Sequence, residues 1–218
     1  MKNESSTVEN YIKAIYSLCD KNGKTTVSAV AERVQNNPSS VSDMIRRLHE
    51  KGLLENKSKL ILSKEGNLLA CQLIRKHRLW ETFLVRVLNF KWDEVHDIAE
   101  QLEHVHSPLL TERLEVFLEY PKFDPHGDPI PDKKGNLPDL NAIPLTEAEV
   151  DQLYIFRSVA TDKSDFLNHL NKKGLQLGQK WKVTEKEEFD GSVKLLIDEN
   201  KEVYFSETVA QNLYVSAI

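Results

Sequence analysis

The sequence has few cysteines and no long apolar segment. Cys19 and Cys71 are the two cysteines among 218 residues, and a disulfide between them is possible but not expected in a cytoplasmic chain. No apolar run approaches the roughly 18 residues that a membrane span needs, and the N-terminus lacks the apolar core of a signal peptide. These features predict a cytoplasmic, globular protein of one or two domains.

Charge is distributed unevenly along the chain. The net charge is −5, but residues 1–80 carry 14 basic and 8 acidic side chains, whereas residues 81–218 carry 15 basic and 26 acidic ones. The first part is therefore at +6 and the second at −11. A basic first part could contact the phosphates of a nucleic acid, and an acidic second part could bind cations.

The first 63 residues are patterned as three helices and a hairpin. Apolar residues recur at helical spacing over residues 8–18, 27–34 and 41–48, and "QNNPSS" supplies capping serines and a proline for the third helix. The segment "LLENKSKLILS" then predicts two short strands around a polar turn. This order is typical of a winged helix-turn-helix, which places its third helix in the major groove of DNA.

Candidate DNA contacts lie at the start of that third helix and in the hairpin. Polar side chains at the leading end of the helix could reach base edges and phosphates, and two arginines follow one turn later. The candidates are Asn37, Ser39, Ser40, Ser42, Asp43, Arg46, Arg47, Lys57 and Lys59. A helical bundle with a solvated basic face is the alternative interpretation.

Further helices, a proline-rich connection and a set of strands follow. The apolar spacing predicts helices over residues 63–88, 92–105 and 107–119. Six of the eight prolines lie between Pro121 and Pro144, a density that predicts a structured connector and then a linker. Beyond them, "LYIFRSVA", "KWKVTE", "VKLLID", "EVYFS" and "LYVSAI" predict strands of a small barrel of about 70 residues.

The segment "VHDIAEQLEHVHS", residues 95–107, is the strongest candidate for a metal site. On a helix, positions 96, 100, 103 and 104 share one face, which therefore carries two imidazoles and two carboxylates. Such a face is costly to bury unpaired, and a divalent cation would relieve that cost. A His–Glu pair on the preceding helix could face it. The resulting set, enough for one or two ions, is His77, Glu81, His96, Glu100, Glu103 and His104.

The chemistry of this set favours particular ions. Nitrogen and oxygen ligands without a thiolate fit Mn(II) or Fe(II). Each residue also has a simpler interpretation, because His77 could be a hydrogen-bonded core residue and Glu81 a solvated carboxylate. His106 and His126 share no such alignment and are interpreted as structural.

Together these features resemble the diphtheria toxin repressor family of iron- or manganese-dependent transcriptional regulators, which includes the manganese transport regulators. The resemblance rests on "VENYIKAIYSL", "NNPSSVSDMIRRLHEKGLL", "RKHRLWETFL", "VHDIAEQLEHVHS" and "PHGDPIP". It implies a metal-activated repressor that binds double-stranded operator DNA as a homodimer built on the helices around residues 92–120. The implied fold is mostly α, with a winged helix-turn-helix (1–63), a helical metal-binding and dimerisation domain (64–132), a linker (133–149) and a C-terminal SH3-like, FeoA-like β-barrel (150–218).

The same resemblance implies two metal sites. One maps onto His77, Glu81 and His96, with Asp162 and Asp165 lent by the C-terminal domain. The other, regulatory site maps onto Glu100, Glu103 and His104 plus a side chain from the first helix. There the family has Met or Asp, whereas this chain has Asn10, with the neighbouring Glu9 a less favoured substitute. Glu100 stands where iron-sensing members have cysteine, so Mn(II) is favoured over Fe(II).

Two rival hypotheses stay open at this stage. A binuclear metal-dependent hydrolase or oxidase could use the same carboxylates, although it would leave the winged helix without a role. A winged-helix regulator with a merely solvated acidic helix would bind no transition metal. The favoured hypothesis is a regulator and not an enzyme, with no membrane partner and no small organic substrate.

Overall fold

The computed structural model describes residues 4–19, 24–58 and 60–218, which form two compact units. Of the described residues, those within 1–80, 99–120 and 130–137 form the first unit, and those within 81–98, 121–129 and 138–218 form the second. The boundaries after Trp80 and after Ile98 each fall within a helix, and each unit consists of segments that are far apart in sequence. Lys59, a candidate DNA contact, lies outside the described residues.

The first unit begins with the predicted three helices and hairpin. They are α1 (Ser6–Leu18), α2 (Val27–Arg33), α3 (Pro38–Glu50), β1 (Leu54–Asn56) and β2 (Ile61–Leu62), with β1 and β2 antiparallel. The side chains of Ser5, Thr26 and Asn37 each accept a hydrogen bond from a backbone N–H in the first turn of their helix. The predicted helix-turn-helix order with a wing is therefore confirmed.

A single apolar core holds these elements together. Ile12 and Ile15 of α1, Val41 and Leu48 of α3 and Leu73 of the next helix are buried in one cluster. That next helix, α4 (Lys64–Arg86), runs through the unit boundary after Trp80. The first unit also holds α6 (Pro108–Phe117), which begins after Ser107 as the sequence predicts.

The second unit is built on an antiparallel sheet. Its strands are β3 (Ile143–Pro144), β4 (Leu153–Val159), β5 (Lys180–Lys186), β6 (Val193–Ile197), β7 (Lys201–Phe205) and β8 (Leu213–Ala217), in the order β3-β8-β4-β5-β6-β7. A short 3-10 turn (Leu145–Glu147) and two helices, α7 (Ser164–Lys172) and α8 (Glu207–Ala210), complete it. Trp181 is buried at the centre, with its ring centroid 4.2 Å from that of Phe156.

Two parts of the predicted fold class are wrong. Helix makes up 42% and strand 18% of the structure, so the chain is not mostly α. The C-terminal sheet is not a closed barrel either, because no pairing between β3 and β7 joins its edges within the described ranges. None of the described helices combines the length and hydropathy that a membrane span requires.

Candidate metal sites

Helix α5 (His96–Leu102) is shorter than the predicted helix over residues 92–105, and this changes the candidate metal face. Glu103 and His104 lie in the turn that follows α5 and not on the helix itself. The unit boundary after Ile98 also separates the predicted stripe. His96 belongs to the second unit, whereas Glu100, Glu103 and His104 belong to the first, so the candidate ligands form two clusters, one in each unit.

The first cluster, here called the Glu103 cluster, consists of Glu9, Lys13, His77, Glu100, Glu103 and His104. Glu103 is fully buried at its centre. Its Oε2 atom accepts a hydrogen bond of 2.6 Å from the Lys13 ammonium and lies 2.6 Å from His77 Nδ1. Lys13 also donates to Glu100 Oε2 at 2.6 Å. The first helix thus reaches the cluster through a lysine, a residue that the sequence patterns do not single out as part of a metal site.

The other carboxylate oxygen of Glu103, Oε1, lacks the hydrogen bonds that Oε2 accepts. Oε1 is buried and has no hydrogen-bond partner among residues 4–19, 24–58 and 60–218, and His104 Nε2 lies 4.0 Å from it. A buried carboxylate oxygen without a donor is costly. One ligand atom from each of Glu100, Glu103 and His104 can be chosen so that all lie within 4.8 Å of one another. A cation bound among them would satisfy Oε1.

Electrostatics keeps Glu103 ionised despite its burial. Burial acts to raise the pKa of the Glu103 carboxyl, but the hydrogen bond with His77 and the positive charge of Lys13 outweigh it and lower the pKa. The residue is therefore a carboxylate ready to bind a cation.

Glu9 contacts His104 from the first helix. Its buried carboxylate lies 2.6 Å from His104 Nδ1, which leaves Nε2 to face Glu103. A carboxylate on one imidazole nitrogen fixes the ring orientation and makes the other nitrogen a better metal ligand. Asn10, which is the ligand that the family resemblance predicts from this helix, has an exposed side chain.

The second cluster, here called the Glu81 cluster, consists of Glu81, His96, Asp124, His126 and Asp162 in the second unit. His96 Nδ1 lies 2.8 Å from Asp162 Oδ2 and 3.6 Å from Glu81 Oε1. On the other side, Glu81 Oε2 lies 3.8 Å from His126 Nδ1. Glu81, Asp124 and His126 are all buried and offer ligand atoms within 4.8 Å of one another. Asp165, the other predicted acidic ligand, is exposed on α7.

Both histidines of this cluster hold protons strongly. The hydrogen bond with Asp162, followed by that with Glu81, raises the pKa of His96 to about 10, and the same pairing lowers the pKa of Asp162 to about 2. Burial acts to lower the pKa of His126, but Glu81 and Asp124 outweigh it and raise the pKa to about 9. Without a metal ion, the two imidazoles therefore act as the cations that balance the carboxylates.

A tight turn in "DPHGDP" positions His126. Asp124 Oδ1 accepts hydrogen bonds from the backbone N–H groups of His126 (2.8 Å) and Asp128 (3.0 Å). Gly127 has φ +84°, and a Cβ atom there would lie 2.0 Å from the carbonyl oxygen of Arg157, so the turn requires glycine. The ring's Nε2 lies 2.8 Å from the Trp92 carbonyl oxygen, which directs Nδ1 towards Glu81. His126, which the sequence predicts to be structural, is therefore a candidate ligand, as is Asp124, which no spacing pattern singles out.

The candidate DNA contacts form a polar surface on α3 and the wing. Asn37, Ser39, Ser42, Asp43, Arg46, Arg47 and Lys57 are exposed, and Ser40 is half-buried. Arg46 forms an ion pair of 3.0 Å with Asp43 in which both side chains are largely exposed. Such a pair contributes little to stability, so Arg46 is available to phosphates or bases.

Helix α6 and the residues after it expose an apolar stripe. Leu109 is 61%, Val116 54% and Tyr120 63% exposed. The spacing of seven residues places Leu109 and Val116 on one face of α6, whereas Tyr120 lies beyond the end of the helix and has a backbone φ of +55°. An exposed apolar stripe of this kind marks an interaction surface more often than a solvated one.

Known protein families match all three parts of the chain. The model of the iron-dependent repressor N-terminal DNA-binding domain matches residues 4–61, and that of the iron-dependent repressor metal-binding and dimerisation domain matches residues 63–132. The model of the FeoA domain matches residues 143–217.

Individual relatives agree with these matches. The chain is 39% identical over 128 residues to the iron-dependent repressor IdeR of Mycobacterium tuberculosis. The aligned segment covers 57% of this chain and 55% of the length of IdeR, so the match spans little more than half of that relative. It is 31% identical over 163 residues to the diphtheria toxin repressor of Corynebacterium jeikeium, covering 72% of this chain and 68% of the relative. A solved manganese-dependent transcriptional repressor in complex with manganese superposes with a TM-score of 0.89 at 32% identity, covering 97% of this chain and 100% of that one.

Proposed function

The chain belongs to the iron-dependent repressor family, which includes the diphtheria toxin repressors, and from this premise we propose that it is a metal-activated repressor of transcription. It binds double-stranded operator DNA as a homodimer and regulates metal-ion homeostasis in the cytoplasm, where the chromosome lies. The relatives are named as repressors, which favours this function over a metal-dependent hydrolase or oxidase. We also propose that the chain consists of a winged-helix DNA-binding domain (1–63), a metal-binding and dimerisation domain (64–132), a linker (133–149) and a C-terminal FeoA-like domain (150–218).

The buried, unpartnered oxygen of Glu103 is the observation that best supports metal activation. Within the described residues it has no donor, and His104 Nε2 faces it with a nitrogen that Glu9 has oriented. Glu100, Glu103 and His104 would hold an ion there. Glu81, Asp124 and His126 would hold one in the second unit, with His96 and Asp162 as further candidates. A bound ion supplies positive charge that the acidic part of the chain lacks.

Mn(II) is the favoured ion at both clusters. The ligand atoms are carboxylate oxygens and imidazole nitrogens, a donor set that suits Mn(II) and Fe(II) and includes no thiolate. The superposition on a repressor in complex with manganese points the same way. We propose one ion for each cluster, and therefore two per chain.

Metal binding favours the DNA-competent state through the first helix. Two members of the Glu103 cluster, Glu9 and Lys13, belong to α1, and α1 shares its apolar core with the recognition helix α3. An ion that orders the cluster therefore fixes α1 and, through it, the position of α3. By linkage, operator DNA tightens metal binding by the same factor.

A mobility-shift titration tests this function. We expect DNA binding in the presence of Mn²⁺ and its loss with excess chelator, whereas Mg²⁺ should not substitute for Mn²⁺. Arg46→Ala should weaken DNA binding and leave Mn²⁺ affinity unchanged, because Arg46 is exposed on α3 and belongs to neither cluster. Equal DNA binding with and without chelator would refute metal activation.

Glu9→Gln should lower the affinity for Mn²⁺ by about 10- to 100-fold, because the amide cannot stabilise and orient His104 as a carboxylate does. Isothermal titration calorimetry measures the change. Glu4→Gln is the matched control, since Glu4 is close in sequence and forms an ion pair with Lys51. An affinity equal to that of the control would show that Glu9 does not support the site.

Mn²⁺ binding to the Glu81 cluster should strengthen steeply with pH. His96 and His126 have pKa values of about 10 and about 9 without metal, so near neutral pH both are protonated and must release their protons to become ligands. We expect about two protons released per ion near neutral pH and an affinity that rises up to about pH 10, the pKa of His96, well above the value of about 6.5 for an unperturbed histidine.

Calorimetry in buffers with different protonation enthalpies counts these protons. His126→Ala should reduce the proton count, because one of the two imidazoles is removed. If the wild-type chain releases no protons on binding Mn²⁺, the histidines of this cluster are not ligands.

A further inference from the structure

Lys13 lies where a cation would be expected among metal ligands. Its ammonium lies 2.6 Å from Glu100 Oε2, 2.6 Å from Glu103 Oε2 and 3.3 Å from His77 Nδ1. The ammonium thus contacts two carboxylates and an imidazole, the same kinds of donor atoms that bind Mn(II).

The two oxygens of Glu103 face two different environments. Oε2 is occupied by Lys13 and His77, whereas Oε1 is the oxygen without a hydrogen-bond partner in the described part of the chain. A carboxylate arranged in this way can bridge two cations. Here one of the two positions already holds the lysine ammonium, and only the side facing His104 is available to an ion from solution.

The net charge of the cluster also indicates that it accepts a single divalent ion. With the imidazoles of His77 and His104 neutral, the three carboxylates Glu9, Glu100 and Glu103 contribute −3, and Lys13 brings the total to −2. One divalent ion therefore neutralises the cluster, whereas a second would leave an excess of +2 around a buried carboxylate. Excess charge in a buried site is unfavourable.

We propose that Lys13 is a resident cation that occupies one half of a carboxylate-bridged site, so that the Glu103 cluster accepts one divalent ion and binds it less tightly than its carboxylates alone would. The proposal rests on the proposed function, because it concerns the metal site of that function. Lys13 thereby sets both the number of ions and the metal concentration at which the cluster fills.

A purely structural ion pair makes a different prediction. If Lys13 only tied α1 to the turn after α5, its removal would lower the stability of the chain but would change neither ion number nor affinity. Measurements of Mn²⁺ binding therefore separate the two roles.

The experiment uses the full chain and Mn²⁺ alone, with bound ions counted by equilibrium dialysis. Glu81→Gln combined with His126→Ala serves as the background, because Glu81 faces both histidines of the Glu81 cluster, so that the count reports the Glu103 cluster. Lys13→Arg retains the charge and Lys13→Met removes it at similar length, whereas Lys13→Glu adds a ligand. Lys51→Met is the matched control, because Lys51 pairs with Glu4 outside the cluster.

We expect one ion for the background chain, with affinities within threefold of it for Lys13→Arg and Lys51→Met. Lys13→Met should bind at least tenfold more tightly, and Lys13→Glu should bind two ions. Should the Lys13→Glu chain fail to fold, the affinity of Lys13→Met decides the matter. Unchanged affinity in Lys13→Met overturns the proposal, but leaves the proposed function intact as long as the background chain binds Mn²⁺. A background chain that binds none overturns both.

Discussion

Glu103→Gln should lower the affinity of the Glu103 cluster for Mn²⁺ by about a hundredfold or more and abolish metal-dependent DNA binding. Glu103 is the buried residue that both Lys13 and His77 contact, and its Oε1 atom faces His104. The amide is neutral, so the cluster loses one of its negative charges at the point where the ion binds. Losing a buried charged partner typically costs about 3–5 kcal/mol.

Mn²⁺ titration and mobility shift on the same variant provide the measurement. Glu112→Gln is the matched control, because Glu112 is an exposed glutamate of α6 that pairs with Lys133. Thermal unfolding without metal shows whether the variant still folds. A folded Glu103→Gln chain that responds to Mn²⁺ like the control would contradict the assignment of Glu103 as a ligand.

Leu109→Glu combined with Val116→Glu should convert the protein to a monomer and reduce its affinity for a two-half-site operator by about 100- to 10,000-fold. Both side chains are exposed on the apolar stripe of α6, and the substitutions place four like charges together when two copies meet. Dimers of helix-turn-helix proteins bind two half-sites at once, so a monomer loses this gain.

Analytical ultracentrifugation at several protein concentrations measures the assembly, and mobility shift with saturating Mn²⁺ measures DNA binding. Val150→Glu is a suitable control because Val150 is an exposed apolar residue of the second unit. A double variant that remains dimeric would place the dimer interface elsewhere. Unchanged Mn²⁺ affinity in the monomer would show that the metal sites do not depend on assembly.

Local features of the fold were predictable from the sequence. The spacing of apolar residues acts within one or two helical turns, so the helices of the winged helix-turn-helix were located correctly. The N-cap of α3 is Asn37, whereas the serines predicted to cap it lie inside the helix. Whether the C-terminal strands close into a barrel depends on pairing between strands far apart in sequence. Short-range patterns do not contain that information, and the predicted closure was wrong.

The candidate site was predictable only where it follows helical spacing. The predicted common face assumed a helix through residue 105, but α5 ends at Leu102. Lys13 was missed because a lysine is not a usual metal ligand. His126 was missed because a loop and not a helix positions it, although the Asp124 turn and the glycine that follows His126 were a recognisable signal.

The stacking of Trp92 on His126 gives the second unit its own optical reporter. The two rings are nearly parallel, at 12°, with their centroids 6.0 Å apart, and the indole N–H donates to Asn171. Indole emission is sensitive to the charge and electron demand of a stacked neighbour, so deprotonation or ligation of His126 changes the fluorescence of this tryptophan. Because Trp80 and Trp181 also emit, the part of the signal that comes from Trp92 is the difference between the chain and its Trp92→Phe variant, and this difference follows events at the Glu81 cluster without a label.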